Sequence, residues 1–204
     1  MNNIKNKKIY RRWAGMYDKF FGSDYINKQR ELEISMLNLK AGDRVLFIGI
    51  GTGEDLKFIP KGLEIVGVDI TDEMLDIARK KAKKLNLNDI QILNMDGQKL
   101  DFEDKSFNVV VLNLILSVIP DGHKCLSEAY RVLRDYGTIA VFDKFLDDKS
   151  NPNFIRRVLN KVTSYLGTDI NRRFFDILGN IKLSVMEEKR SILGGMYRII
   201  ILKK

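Results

Sequence analysis

Three glycines at alternate positions constrain this chain more than any other feature. The apolar run Val45–Gly49 (VLFIG) has strand length. It enters Gly49-Ile50-Gly51-Thr52-Gly53, and a short helical stretch to Ile59 follows, stopped by Pro60. Glycines tolerate positive φ and, lacking a Cβ, let the backbone come close to a bound ligand. Asp69 lies twenty residues after Gly49, at the carboxyl end of a second apolar run, Leu63–Asp69 (LEIVGVD). A carboxylate there can accept hydrogen bonds from both hydroxyls of a ribose. The bland alternative is a tight turn with an unrelated acid nearby. The strand before the turn, the helix after it and Asp69 together argue against that alternative, and for a ribose-bearing cofactor at the switch point of a sheet.

The rest of the chain continues the alternation. Thr71 or Asp72 caps an amphipathic helix to about Asn86, with Met74, Leu75, Ile77, Ala78, Ala82 and Leu85 inward and Lys80, Lys81, Lys83 and Lys84 in water. Ile90–Asn94 and Phe107–Leu112 are the third and fourth strands; the latter is apolar on both faces, as in the middle of a parallel sheet. A helix over 121–133 leads through a turn at Arg134–Gly137 into a fifth strand, Thr138–Phe142. Asn151-Pro152 opens a helix to about Leu166, and a shorter one surrounds Arg172–Leu178. Lys182–Lys189 and Met196–Leu202, joined at Gly194-Gly195, form a hairpin. The fold expected is a doubly wound, Rossmann-like α/β sheet closed by an antiparallel pair. Ahead of it, residues 3–21 fit one helix, and Ser23 or Asp24 caps another that ends near Leu39. The expected organisation is a basic helical arm or lid over 1–40 and a Rossmann-like domain over 41–204, within which 150–180 is a helical insertion completing the acceptor pocket.

The glycine loop also bears on the identity of the cofactor. A dinucleotide fingerprint would place its third glycine at residue 54, where this chain has Glu54 followed by Asp55. Two acids at that helix start repel a pyrophosphate. They suit a cofactor without phosphates that carries a positive group, and S-adenosylmethionine has that chemistry.

Composition narrows the classes further. One cysteine, Cys125, and one histidine, His123, exclude an internal disulfide and a Cys- or His-cluster metal site, so no metal is expected. No run of about 18 apolar residues is present to span a bilayer. The basic start lacks the apolar stretch of a secretory signal, so a cytoplasmic protein is expected. The net charge of +8 is uneven: residues 1–30 hold eight bases against two acids (+6), and the remainder holds 27 against 25 (+2). A charge block of this kind marks a partner surface.

From Tyr10 to Phe145 the chain resembles the class I S-adenosylmethionine-dependent methyltransferases. VLFIGIGTGEDL (45–56), VGVDITDEMLDIARKKA (66–82), ILNMDGQKLDFEDKSFNVVVLNLILSVIPD (92–121) and LSEAYRVLRDYGTIAVFDKF (126–145) carry the likeness, in family order and spacing. The resemblance implies seven strands in the order 3-2-1-4-5-7-6. It also implies roles: the Gly49–Gly53 loop, with Ile50 and Thr52, against the methionine part; Asp69 on the ribose; Ile70 and Met74 flanking the adenine; Asp96 and Gly97 at its amino edge; Asn113 and Leu114 bordering the site of transfer. Tyr10 and Tyr17-Asp18 match a Y-x6-Y-D pattern whose tyrosine covers the cofactor. One position departs: the family carries an acid two residues before the first glycine, where this chain has Phe47. Glu54 or Asp55 is the expected substitute.

The acceptor leaves a fainter trace. The segment after the fourth strand, Asn113-Leu114-Ile115-Leu116, is not the proline-aromatic tetrapeptide of adenine-N6 enzymes, and Cys125 reads as a small core residue rather than a cytosine-C5 nucleophile. YRRWAGMYDKFFG, NLILSVIPD and RVLRDYGTIAVFDKF resemble the bacterial phosphatidylethanolamine N-methyltransferases, and quinone methyltransferases share much of this pattern. That implies a lipid or small-molecule acceptor, with the basic arm against an anionic membrane as a peripheral protein. Trp13, His123, Arg172 and Arg173 are the expected acceptor-side residues, although a helix-start histidine and paired arginines are more often simply solvated. A soluble enzyme for a quinone or small metabolite, and a non-catalytic module holding RNA on the arm, are the alternatives.

Overall fold

The computed structural model describes residues 3, 6–12, 22–87, 89–148, 150–152, 154–165, 167–191 and 195–204. Its strands are β1 (Arg44–Ile48), β2 (Glu64–Asp69), β3 (Ile90–Asn94), β4 (Phe107–Asn113), β5 (Leu133–Lys144), β6 (Ser184–Arg190) and β7 (Tyr197–Lys203). They form one sheet in the order β3-β2-β1-β4-β5-β7-β6. The first five run parallel, and β7 pairs antiparallel with both β5 and β6. The expected order and closing hairpin are both present.

The helices are α1 (Asp24–Ser35), α2 (Asp72–Lys84), α3 (Gly122–Val132), α4 (Phe154–Tyr165) and α5 (Phe174–Leu178), with residues 6–12 also helical and Glu54–Phe58 a 3-10 turn. Successive strand residues point to opposite faces, and the core divides accordingly. Val45, Phe47, Val109 and Val111 pack on one face with Ile26, Ile34 and Leu37 of and after α1; Leu46, Ile48, Val110 and Leu112 pack on the other with α3 and α5. The chain winds outward in opposite directions from β1 and β4, which leaves a crevice at their carboxyl ends.

Several boundaries differ from expectation. The α1 helix stops at Ser35, and Asn38 at φ +47° turns the chain toward β1. Ser23 and Thr71 occupy N-cap positions without a capping side-chain bond, whereas Asp121 accepts from Lys124 N at 2.9 Å. The expected turn at 134–137 is an excursion inside β5: Leu133 pairs with Phe107, the next pair is Thr138 with Val109, and Tyr136 sits at φ +62°. Leu85 is exposed, and Lys81 is drawn from water to Glu54. The arm from 13 to 21, with Trp13, Met16, Tyr17, Phe20 and Phe21, lies outside the described residues, as does Gly194.

Candidate active site

A cleft of about 680 Å³, counting its open mouth, lies at the carboxyl ends of β1, β2 and β4. Gly49, Gly51 and Gly53 all have positive φ, at +76°, +55° and +77°. The N–H groups of Gly49 and Ile50 both donate to Val68 O, at 2.8 and 3.0 Å, which holds the loop against the end of β2. A Cβ on Gly49 would come within 2.9 Å of the Ile115 side chain, so glycine is required where the loop meets the segment after β4.

Asp69 ends β2 at the cleft. Its Oδ2 accepts from Gly51 N at 3.0 Å and its Oδ1 from Thr71 N at 2.9 Å, so one carboxylate joins the glycine loop to the start of α2. Burial pushes its pKa up, and the backbone donors offset part of that rise. Each oxygen keeps acceptor capacity toward the cleft. Asp96, after β3, accepts from Gln98 N at 2.9 Å and from Asn3 Nδ2 at 2.6 Å. Gly97 is packed so closely that a Cβ would lie 2.6 Å from Ile48 Cγ2.

The N-terminal segment roofs this end. Asn3, Asn6 and Tyr10 line the cleft, and Asn6 Nδ2 donates to Val118 O at 2.7 Å. Burial raises the Tyr10 phenol to about 12, and its side chain bonds Thr168. It therefore stays protonated near neutral pH. At the other end Asn113 Nδ2 donates to Asp55 Oδ1 at 2.8 Å, and Leu114 holds φ +56°, a strained value for a bulky residue.

A methyltransferase domain family matches residues 46–141. The phosphatidylethanolamine N-methyltransferase of Cereibacter sphaeroides is 30% identical over 194 residues, 95% of this chain and 94% of that protein. The chain belongs to the class I S-adenosylmethionine-dependent methyltransferases. The demethylmenaquinone methyltransferase of Lactobacillus johnsonii is 31% identical over 153 residues, 70% of this chain and 63% of that protein. In fold, geranyl diphosphate C-methyltransferase from Streptomyces coelicolor A3(2), solved with S-adenosyl-L-homocysteine, superposes with a TM-score of 0.73 at 15% identity, covering 86% of this chain and 75% of that one.

The cleft of this methyltransferase has the donor–acceptor balance that its cofactor needs. Asn6 Oδ1 and Asn113 Oδ1 are buried acceptors without a partner. S-adenosylmethionine brings amino groups as donors, whereas a pyrophosphate would bring only more acceptors. Of the residues expected at the site, Tyr10, Gly49, Gly51, Asp69, Ile70, Met74, Asp96, Gly97, Asn113 and Leu114 line the cleft. Ile50, Thr52 and Gly53 do not: Ile50 packs on Gly67, Thr52 is buried, and Gly53 closes on Leu56 and Ala78. Tyr17 and Trp13 fall outside the described residues.

Three expected acceptor-side residues are engaged elsewhere. The Nδ1 of His123 lies 2.9 Å from Ile177 O. Arg172 donates to Leu116 O at 2.6 Å and Pro120 O at 3.1 Å, and Arg173 to Ser150 O at 2.9 Å. His123 and Arg172 meet backbone carbonyls in part-buried positions, where an unpaired carbonyl would be costly, and the Arg173 bond lies at the surface. The acids after the loop also need a correction. Glu54 is paired with Lys57 and Lys81, which hold its pKa down against desolvation, and Asp55 is paired with Arg30 at 2.6 Å. Neither lines the cleft, so neither answers directly to a cofactor cation. Cys125 is fully buried, and burial pushes its thiol pKa up, as suits a core residue. No metal-holding group of His, Cys, Asp or Glu occurs among the described residues.

Sequence reasoning missed Asn3, Asn6, Met95, Val118 and Ile119, all of which line the cleft. The signal for the first two was present: Asn3, Asn6 and Tyr10, at spacings of three and four, share a helix face otherwise crowded with bases.

Proposed function

We propose that this methyltransferase N-methylates the amine of a phospholipid headgroup, of the phosphatidylethanolamine type, at an anionic membrane surface. The observation that carries this reading is the α4 surface, whose far end is joined to the roof of the cleft through Tyr10. Phe154, Val158, Leu159, Val162 and Tyr165 are between 47% and 80% exposed, and Phe154, Val158, Val162 and Tyr165 form one stripe at spacings of three and four. Arg157 and Lys161 flank the stripe, and α4 contains no acid. Exposed Lys8, Arg11 and Arg12 stand on the roofing segment. The two elements meet where Tyr10 bonds Thr168, just past the end of α4. Apolar residues that enter a headgroup boundary among cations that attract anionic lipid are the pattern of an interfacial helix. Among the described residues no helix is long and apolar enough to cross a membrane. The Cereibacter relative, matched over nearly the whole chain, supports the same acceptor.

In this reading the cofactor supplies a methyl group on a sulfonium, and the protein supplies alignment. Gly49 and Gly51 let the methionine part approach the backbone, Asp69 takes the ribose hydroxyls, and Ile70 and Met74 flank the adenine beside Asp96 and Gly97. Tyr10, Asn113 and Leu114 border the point of transfer, and Tyr10 helps exclude water. The titratable side chains among the described cleft residues are Tyr10, Asp69 and Asp96; both carboxylates already accept hydrogen bonds, and Tyr10 titrates near 12. An amine that arrives unprotonated needs no base from the cleft, whereas a hydroxyl acceptor does. The second reading is a quinone acceptor, which the Lactobacillus relative supports.

The test uses methyl-labelled S-adenosylmethionine with vesicles of phosphatidylethanolamine and phosphatidylglycerol, with vesicles carrying a demethylated quinone instead, and with a soluble cell extract. Label in the headgroup lipid is expected. Label only in the quinone establishes the second reading, and label only in soluble metabolites overturns the membrane role.

A further inference from the structure

On the α1 side of the sheet, a buried polar cluster meets the cleft through Asn113. Arg30 Nη1 donates to both oxygens of Asp55 at 2.6 Å, and Asn113 Nδ2 donates to Asp55 at 2.8 Å, so Asp55 is fully engaged. Glu33 follows one turn after Arg30 on α1 and is 0% exposed; the donor beside it is the Asn113 amide, which Asp55 already engages, and no well-formed hydrogen bond reaches either carboxylate oxygen. Asn113 Oδ1, on the wall of the cleft, has none either. Once Glu33 is ionised, a buried carboxylate beside a buried amide oxygen is costly unless a donor arrives. The complement of this cluster is a compact cation rich in N–H groups.

Phe47, where the family carries its acid, packs in the same core cluster as Ile34 and Leu114, on the face that α1 covers. An anion lost from β1 at this point can therefore be replaced from α1. We infer that Glu33 and Asn113 seat the ammonium group of the cofactor's methionine moiety, with Asn113 Oδ1 accepting from it and Glu33 behind supplying the countercharge. This rests on the reading of the cleft as the cofactor site. It gives Glu33 a positioning role and does not make it a catalytic residue.

The protonation of Glu33 supplies a readout. Burial, and secondarily the Asp55 charge, raise its carboxyl to about 8, while Asn113 and Arg30 offset part of that rise. Near neutral pH the empty site therefore holds the proton, and an ammonium beside it releases the proton. As pH rises toward 8, less work is needed to ionise Glu33, so its contribution to affinity grows and then levels off. The α1 helix packs on the 3-10 turn and on β5. Their neighbouring charged groups are Glu54, held by Lys57 and Lys81; Asp55, held by Arg30; and Asp143, which faces the charge of Lys144. Burial puts the Tyr197 phenol of β7 at about 12, so it is silent in this range.

The experiment is calorimetric titration at pH 7, in two buffers of different ionisation enthalpy. The ligands are S-adenosylhomocysteine, which carries the ammonium, and 5′-methylthioadenosine, which lacks it. Proton release with the first ligand alone is expected. Glu33→Gln should abolish that release and weaken S-adenosylhomocysteine by about tenfold, with 5′-methylthioadenosine unchanged. Equal weakening of both ligands, or binding of S-adenosylhomocysteine without proton release, overturns the role of Glu33. The comparison of the two ligands on the unmutated protein decides the matter even if the variant does not fold. If neither ligand binds, the reading of the cleft itself fails.

Discussion

The cleft and the helical segment after β5 are built by different means. The cofactor end, along residues 44–97, relies on backbone: three glycines at positive φ, loop N–H groups on Val68 O, and Asp69 linking Gly51 to Thr71. The helical segment 154–178, the proposed acceptor side, relies on long side chains. Arg172, Arg173 and Arg156 are committed to carbonyls of the chain itself, and α4 turns an apolar stripe outward. Backbone geometry tolerates few residue types, so the cofactor end resists change. Long side chains on a helix surface exchange more freely, so this segment can vary more readily than the glycine loop.

Four measurements would sharpen or break that contrast. Asp69→Ala removes the acceptor for the Gly51 and Thr71 N–H groups and, in the proposed reading, for the ribose, and should cost about 100-fold or more in S-adenosylhomocysteine affinity by calorimetry. A loss under threefold would detach Asp69 from the site. Gly97→Ala drives a methyl into Ile48, and overpacking of this kind should lower stability by about 1–3 kcal/mol in denaturant unfolding. Unchanged stability would mean that the floor of the cleft is softer than its packing implies. On the acceptor side, Val158→Asp with Val162→Asp should reduce co-sedimentation with anionic vesicles by about tenfold, while two exposed sites alter stability by only about 0.5 kcal/mol each. Retained vesicle binding would remove α4 from the lipid reading. The smallest effect belongs to the exposed pairs Lys7–Asp72 and Arg11–Glu73, which tie the roof to α2. Replacing Lys7 and Arg11 by Met should lower the thermal unfolding midpoint by no more than about 2–4 °C. A larger shift would make the roof a structural clamp.

The legible parts of the sequence are those with a short period. The runs 45–49, 63–69, 90–94 and 107–112 fall on β1 to β4 within a residue at each end, because an apolar run bounded by turn residues is a local signal. The excursion at 134–137 was illegible because β5 keeps its direction on either side, and pairing with β4 decides this. The charged residues misled most. Glu54 and Asp55 carry the charge expected of a cation site, but Lys81 and Arg30, 27 and 25 residues away in sequence, already neutralise them. The arginines at 172 and 173 looked available, yet the carbonyls of Leu116, Pro120 and Ser150 take them.

By itself the sequence determined the sheet, its switch point and the glycine–aspartate cofactor motif, since each follows from backbone freedom and from apolar patterning over a few residues. The tertiary structure alone decided which charges were free. Coulomb and hydrogen-bond partners are chosen by distance in space, and no local pattern brings Glu33 of α1 beside Asn113 of β4. For the same reason, only the folded chain distinguishes the apolar stripe of α4, which faces water, from the apolar faces of α2 and α3, which are buried in the core.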